Sequence, residues 1–297
     1  MQRREFIGTG SAMLALTLMS SSSRAEKPLF SQIAPGAEKK SVTVKNIVIG
    51  EGQPKVIVPT TASQTDEAIA FARQVAQKPD VQLLELRLDG MEKGSDAAAM
   101  AQLTHQLSDL LQDKLLLVTF RTKAEGGKRE ISDTDYAALY RTLLNSGKLD
   151  LLDIEMFRDR GQVDALVALA HQRGVRVIMS SHDFHATPDH QEIISRLRQQ
   201  QAMGADILKL AAMPKDTGDV LTLLAATWEM HQRYAQRPLL TMSMGGLGAI
   251  TRMSGELTGS ALTFAMEGES SAPGQIKVDD LNGVLGLIHQ GLQSGKP

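Results

Sequence analysis

The sequence predicts an α/β fold, a (β/α)8 barrel of the TIM type with an N-terminal β-hairpin cap, on three observations. Short apolar runs alternate with amphipathic stretches, eight times over in about 240 residues. Charged residues stand inside runs that otherwise read as buried strand, and they fall near strand ends. No Gly-x-Gly-x-x-Gly opens the first unit, so a doubly wound open sheet is only the runner-up.

The elements follow in order. SVTVKNIVIGEGQPK, from Ser41, alternates apolar and polar residues and contains Gly50-Glu51-Gly52, which predicts a hairpin capping the barrel bottom. Strands are expected over Lys55–Val58, Val81–Leu88, Leu115–Phe120, Leu151–Ile154, Arg176–Ser180, Ile207–Ala211, Leu239–Ser243 and Leu262–Ala265. Between them, helical periodicity covers Asp66–Ala76, Ala97–Leu111, Asp133–Leu144, Val163–Gln172, Gln191–Met203, Asp219–Tyr234 and Ala249–Leu257. A last helix, Val278–Leu292, closes a catalytic domain expected over 41–297.

Before it lie two other segments. Residues 1–25 carry Arg3-Arg4, an apolar run from Phe6 to Met19 and a small polar end. That run is shorter than the ~20 apolar residues a bilayer requires, so the segment reads as a cleaved signal of twin-arginine type and not as a membrane anchor. Residues 26–40 show no sustained period and read as a linker. The expectation is a soluble periplasmic protein.

Composition narrows function. The net charge is −2 and aromatics are 4%, so no basic stripe exists for a nucleic-acid partner. Cysteine is absent, which removes disulfides, thiolate nucleophiles and cysteine-ligated metals.

Chemistry concentrates in six stretches. In LLELRLD, period two puts Glu85, Arg87 and Asp89 on one face, pointing into the barrel as catalytic groups or as a structural ion network. TFRTKAEGGKRE places Arg121 after the third strand and Glu125 in the next loop, where a plain solvated loop is the alternative. VRVIMSSHDFHATP sets His182, Asp183 and His185 just past the fifth strand, suited to acid–base work; HDFH matches no specific metal spacing. GADILKLAAM buries Lys209 between Leu208 and Leu210. Desolvation favours the neutral amine, the nucleophile a Schiff base needs; the alternative is a lysine paired with a carboxylate such as Glu155. TMSMGGLGAITRMSGE leads through glycines into a helix whose first turn carries Arg252, suited to an anion or to nothing. SSAPGQ, Ser270 to Gln275, could close over the mouth.

These stretches, with VTVKNIVIGEGQPKVIV and SSAPGQI, resemble type I 3-dehydroquinate dehydratase in order and spacing from about Ser41 to the last helix. The resemblance implies a barrel hydro-lyase with no metal or cofactor, commonly a homodimer, acting on 3-dehydroquinate. It implies that Lys209 forms an imine with the C3 ketone and that His182 moves the C2 proton and serves the departing C1 hydroxyl, with Glu125 orienting His182. Arg252 would clamp the substrate carboxylate, Glu85, Arg87 and Arg121 would contact ring hydroxyls, and Ser271 and Gln275 would belong to the closing loop. Four positions depart from the family: Pro59 for a serine, Leu86 for a tryptophan, Leu208 for a proline, and Gly245-Gly246-Leu247 without its lysine. A signal peptide is unusual for a biosynthetic enzyme and suggests quinate catabolism. A class I aldolase and a non-catalytic sensor are the rival readings.

Overall fold

The computed structural model describes residues 41–294, so the expected signal and the linker lie outside the described residues. β1 (Val42–Val44) and β2 (Ile47–Ile49) form the predicted antiparallel hairpin, turning through Lys45 at φ 51°. Eight parallel strands follow in ring order: β3 (Lys55–Pro59), β4 (Leu83–Arg87), β5 (Leu115–Thr119), β6 (Leu151–Glu155), β7 (Arg176–Asp183), β8 (Ile207–Ala212), β9 (Leu239–Ser243) and β10 (Leu262–Met266). β10 pairs with β3, and the Ala261 N–H donates to Leu239 O at 2.7 Å beside β9, so the sheet closes on itself. This is the predicted barrel.

The helices are α1 (Thr65–Ala76), α2 (Ala97–Leu111), α3 (Asp133–Ser146), α4 (Arg160–Gln172), α5 (His190–Ala202), α6 (Thr217–Glu229), α7 (Ala249–Met253), α8 (Gly255–Thr258) and α9 (Val278–Ser294). A two-residue strand, β11 (Ile276–Lys277), precedes α9. Their starts are written in side chains that accept from otherwise unpaired N–H groups: Asp96 for α2, Ser132 for α3, Asp159 for α4, Asp189 for α5 and Asp216 for α6. Such a cap contributes about 1 kcal/mol.

Packing separates two apolar compartments. One fills the space between strands and helices, where Leu84, Leu86, Val118, Leu152, Ile154, Leu208 and Leu210 face outward. The other is the barrel floor: Ile57, Leu83, Leu115, Leu117, Leu151, Ile178, Ile207, Leu240 and Leu262, plugged from below by Ile49 of the hairpin.

Three expectations are corrected. The second strand ends at Arg87, and Asp89 sits in a 3-10 turn (Leu88–Gly90), because Asp89 receives Arg87 and the Arg121 and Lys128 N–H groups there. β7 runs on to Asp183, paired with β8 to its end, so His182 stands on the strand and not past it. The helix expected over 249–257 is broken in two at Ser254, which ends α7 and leads into α8 at Gly255; Arg252 therefore lies in the last turn of α7.

Candidate active site

Two residues above the floor, the inward side chains change character. Leu83 gives way to Glu85, Leu117 to Thr119, Leu151 to Asp153, Ile178 to Ser180 and Ile207 to Lys209, all buried. On β9 and β10 the same step leads only to Met242 and Phe264. A polar arc thus faces an apolar one across the barrel mouth. The cavity between them is lined by every residue to which the resemblance gave a role: Glu85, Arg87, Arg121, Glu125, His182, Lys209, Arg252, Ser271 and Gln275. His185 does not line it, and Asp183 is spent capping the His185 and Ala186 N–H groups in a turn.

Lys209 is paired. Its Nζ donates to Asp153 Oδ2 at 2.8 Å and lies 4.8 Å from the Phe264 ring centroid. The partner is Asp153, and Glu155 is committed elsewhere: it accepts from Arg121 Nη1 at 2.9 Å and from Thr122 N and Oγ1. A buried ammonium without such a partner would cost several kcal/mol. The backbone of Lys209 is held as well, since the buried Gln200 amide of α5 bonds both its N–H (2.9 Å) and its C=O (2.8 Å).

Arg121 joins the carboxylates into one network. Nη2 donates to Asp153 Oδ1 at 2.7 Å, and Nη1 meets Glu155, Ser180 Oγ at 2.9 Å and Glu125 Oε2 at 3.3 Å. Burial alone would raise the Asp153 carboxyl, but Arg121 and Lys209 outweigh it and hold it at about 2. Glu125 fares differently. Burial pushes its carboxyl up to about 8, with Arg121 opposing and the anions of Glu155 and Asp153 adding to the rise. Its Oε2 lies 2.8 Å from His182 Nδ1. Burial, reinforced by the cations of Arg121, Lys209 and Arg87, drives His182 well below 6.5, so its imidazole is neutral at physiological pH. Gly126 follows Glu125 in the left-handed region (φ 82°), and a Cβ there would strike the Phe184 ring, so this turn requires glycine.

Arg252 stands on the opposite side. It is buried, its Nε has no hydrogen-bond partner among the described residues, and no carboxylate neutralises it. Nη2 donates to Pro273 O at 3.1 Å and Nη1 rests 3.8 Å from Met242 Sδ. Burial lowers its pKa to about 10. An uncompensated guanidinium in a cavity is an anion receptor. Above it, the segment after β10 is folded in: Gly245 N donates to Pro273 O at 3.2 Å, and Ser271 and Gln275 bond each other. Glu85 and Arg87 complete the rim, the first accepting from Thr119 Oγ1 at 2.8 Å, the second paired with Asp89.

The sequence reading missed Asp153 and Ser180, which stand behind Lys209. LLDIEMF did carry the signal, because Asp153 and Glu155 share one face of β6.

A buried lysine, a neutral histidine backed by a carboxyl, and a lone guanidinium at the C-terminal mouth of a barrel define a barrel enzyme. Residues 56–292 match the family described as Type I 3-dehydroquinase, and the chain belongs to that family. Among its relatives, the 3-dehydroquinate dehydratase of Bacillus subtilis (strain 168) is 46% identical over 249 residues, 84% of this chain and 97% of that protein. The enzyme of the same name from Escherichia coli (strain K12 / DH10B) is 47% identical over 255 residues, 84% of this chain and 99% of that one. Among solved structures, type I 3-dehydroquinate dehydratase from Clostridium difficile, with covalent modified comenic acid, superposes with a TM-score of 0.82 at 43% identity, covering 85% of this chain and 99% of that one.

Proposed function

We propose that this chain converts 3-dehydroquinate to 3-dehydroshikimate by imine chemistry at Lys209. The observation that carries the reading is one cavity holding the Lys209 amine, a neutral His182 and an Arg252 that has no carboxylate partner among the described residues. Arg252 takes the substrate carboxylate and so fixes the ring over the apolar arc. The Lys209 nitrogen adds to the C3 carbonyl, whose oxygen leaves as water, and a protonated imine remains. That cation draws electrons from the adjacent C–H bond. His182 Nε2, left free because Nδ1 faces Glu125, takes the C2 proton and an enamine forms. The enamine expels the C1 hydroxyl, which leaves as water with the proton returned by the imidazolium. Hydrolysis of the conjugated imine frees product and lysine. Glu85, Arg87, Ser271 and Gln275 hold the ring hydroxyls and the closing loop.

The test is borohydride added with 3-dehydroquinate. A reduced adduct on Lys209 is expected by mass spectrometry; turnover without any trapped adduct would overturn the imine route, and binding without turnover would make the protein a sensor.

The sequence of residues 1–25 supports export by the twin-arginine route, hence a periplasmic enzyme serving quinate catabolism; the resemblance to a commonly dimeric family supports a homodimer. Cell fractionation should find the shortened protein in the periplasm, and light scattering should give twice the chain mass; uncleaved protein confined to the cytoplasm would remove the export reading.

A further inference from the structure

We infer that Asp153 is the counter-ion of the Lys209 nitrogen through the whole reaction: it aims Nζ at the ketone and keeps the imine protonated. This rests on the imine reading above. Oδ2 is 2.8 Å from Nζ, and Oδ1 is fixed from the other side by Arg121 Nη2 at 2.7 Å and Ser180 Oγ at 2.6 Å. The Tyr140 hydroxyl holds the Asp153 carbonyl at 2.8 Å. Asp153 is fully buried and does not line the cavity, so it touches the reacting nitrogen from behind and not the substrate.

The balance of atoms gives the role. An ammonium and a ketone yield a protonated imine and one water, with no proton gained or lost. The single N–H that remains keeps its charge beside Oδ2, and the buried site never has to create a new ion. When His182 takes the C2 proton, the charge leaves the nitrogen and appears on an imidazole whose Nδ1 faces Glu125. Two carboxyls therefore serve the two positions of one cation, and Arg121 touches both. The charged and titratable groups around Asp153 are Lys209 from β8, Arg121 and Glu125 beyond β5, Glu155 on its own strand, His182 on β7, and Tyr136 and Tyr140 from α3. Among the described residues only Lys209 and Arg121 donate to its carboxylate as cations.

The experiment compares wild type with Asp153→Asn for kcat and KM across pH, with borohydride trapping alongside. Loss of an adjoining anion lowers the pKa of a cation by one to three units. The alkaline limb of kcat is expected to move down by about one pH unit or more, with KM within about threefold. An unshifted limb and unchanged kcat would overturn the inference while leaving the imine intact; absence of trapping in wild type would instead sink the imine itself. Should Asp153→Asn not fold, the adduct is observed in His182→Ala protein carrying 15N-lysine. Its imine nitrogen should stay protonated across the pH range in which wild type works, and deprotonation within that range would reject the role.

Discussion

The floor and the mouth of this barrel are built from the same strands, two residues apart, and they do opposite work. Leu83, Leu117, Leu151, Ile178 and Ile207 form a dry base; Glu85, Thr119, Asp153, Ser180 and Lys209 stand directly above. The difference teaches that the polar layer depends on the apolar one. Above buried apolar side chains each charge interacts strongly with the next, and each must be matched or tuned. Asp153 and Glu125 show the range: one carboxyl held at about 2 by two cations, the other raised to about 8 by burial.

Emptying the mouth of its nucleophile gives the largest effect. Lys209→Ala should lose dehydratase activity by about 10⁴-fold or more, followed by enone absorbance, while the fold is kept because the floor is untouched. Next comes His182→Ala, expected to lose about 10²–10⁴-fold in kcat yet still give a borohydride-trapped adduct, since the proposed imine forms at Lys209 without it. On the floor the effect changes kind: Ile178→Ala should cost about 2–5 kcal/mol in urea unfolding with KM nearly unchanged. If activity fell as far as stability held, the division between floor and mouth would be broken.

The smallest effect is the most diagnostic. For His182 to act as base, Glu125 must be ionised and accept the Nδ1 proton. Because burial raises Glu125 above its usual range, the rate should climb with pH through a limb near 8 that belongs to the pair. Glu155→Gln removes an anion that adds to this rise, so the limb should move to lower pH by up to about one unit.

Much of this was readable in the chain. Period two in LLELRLD placed Glu85 and Arg87 inward, and a lysine among leucines marked Lys209. What was not readable depends on the stagger of strands around a closed sheet. Asp153 and Glu155 share a face, but Lys209 lies level with Ser180 and Ser180 with Glu155; the tilt of the strands brings Asp153, one step lower, to the amine. Likewise, His182 reads as loop because two polar residues follow Ser180, whereas pairing with Ala211 and Ala212 extends β7 through it. The break at Ser254 has no local breaker in the sequence, and the glycine after it is required because a Cβ there would come within 2.5 Å of Ser260 O, a contact that no local pattern reveals.

The hairpin gives the barrel a stopper. Ile49 is fully buried against the floor, so the well is blind at that end. Traffic is then single-file through one doorway: substrate and product share it, and a lingering product bars its successor.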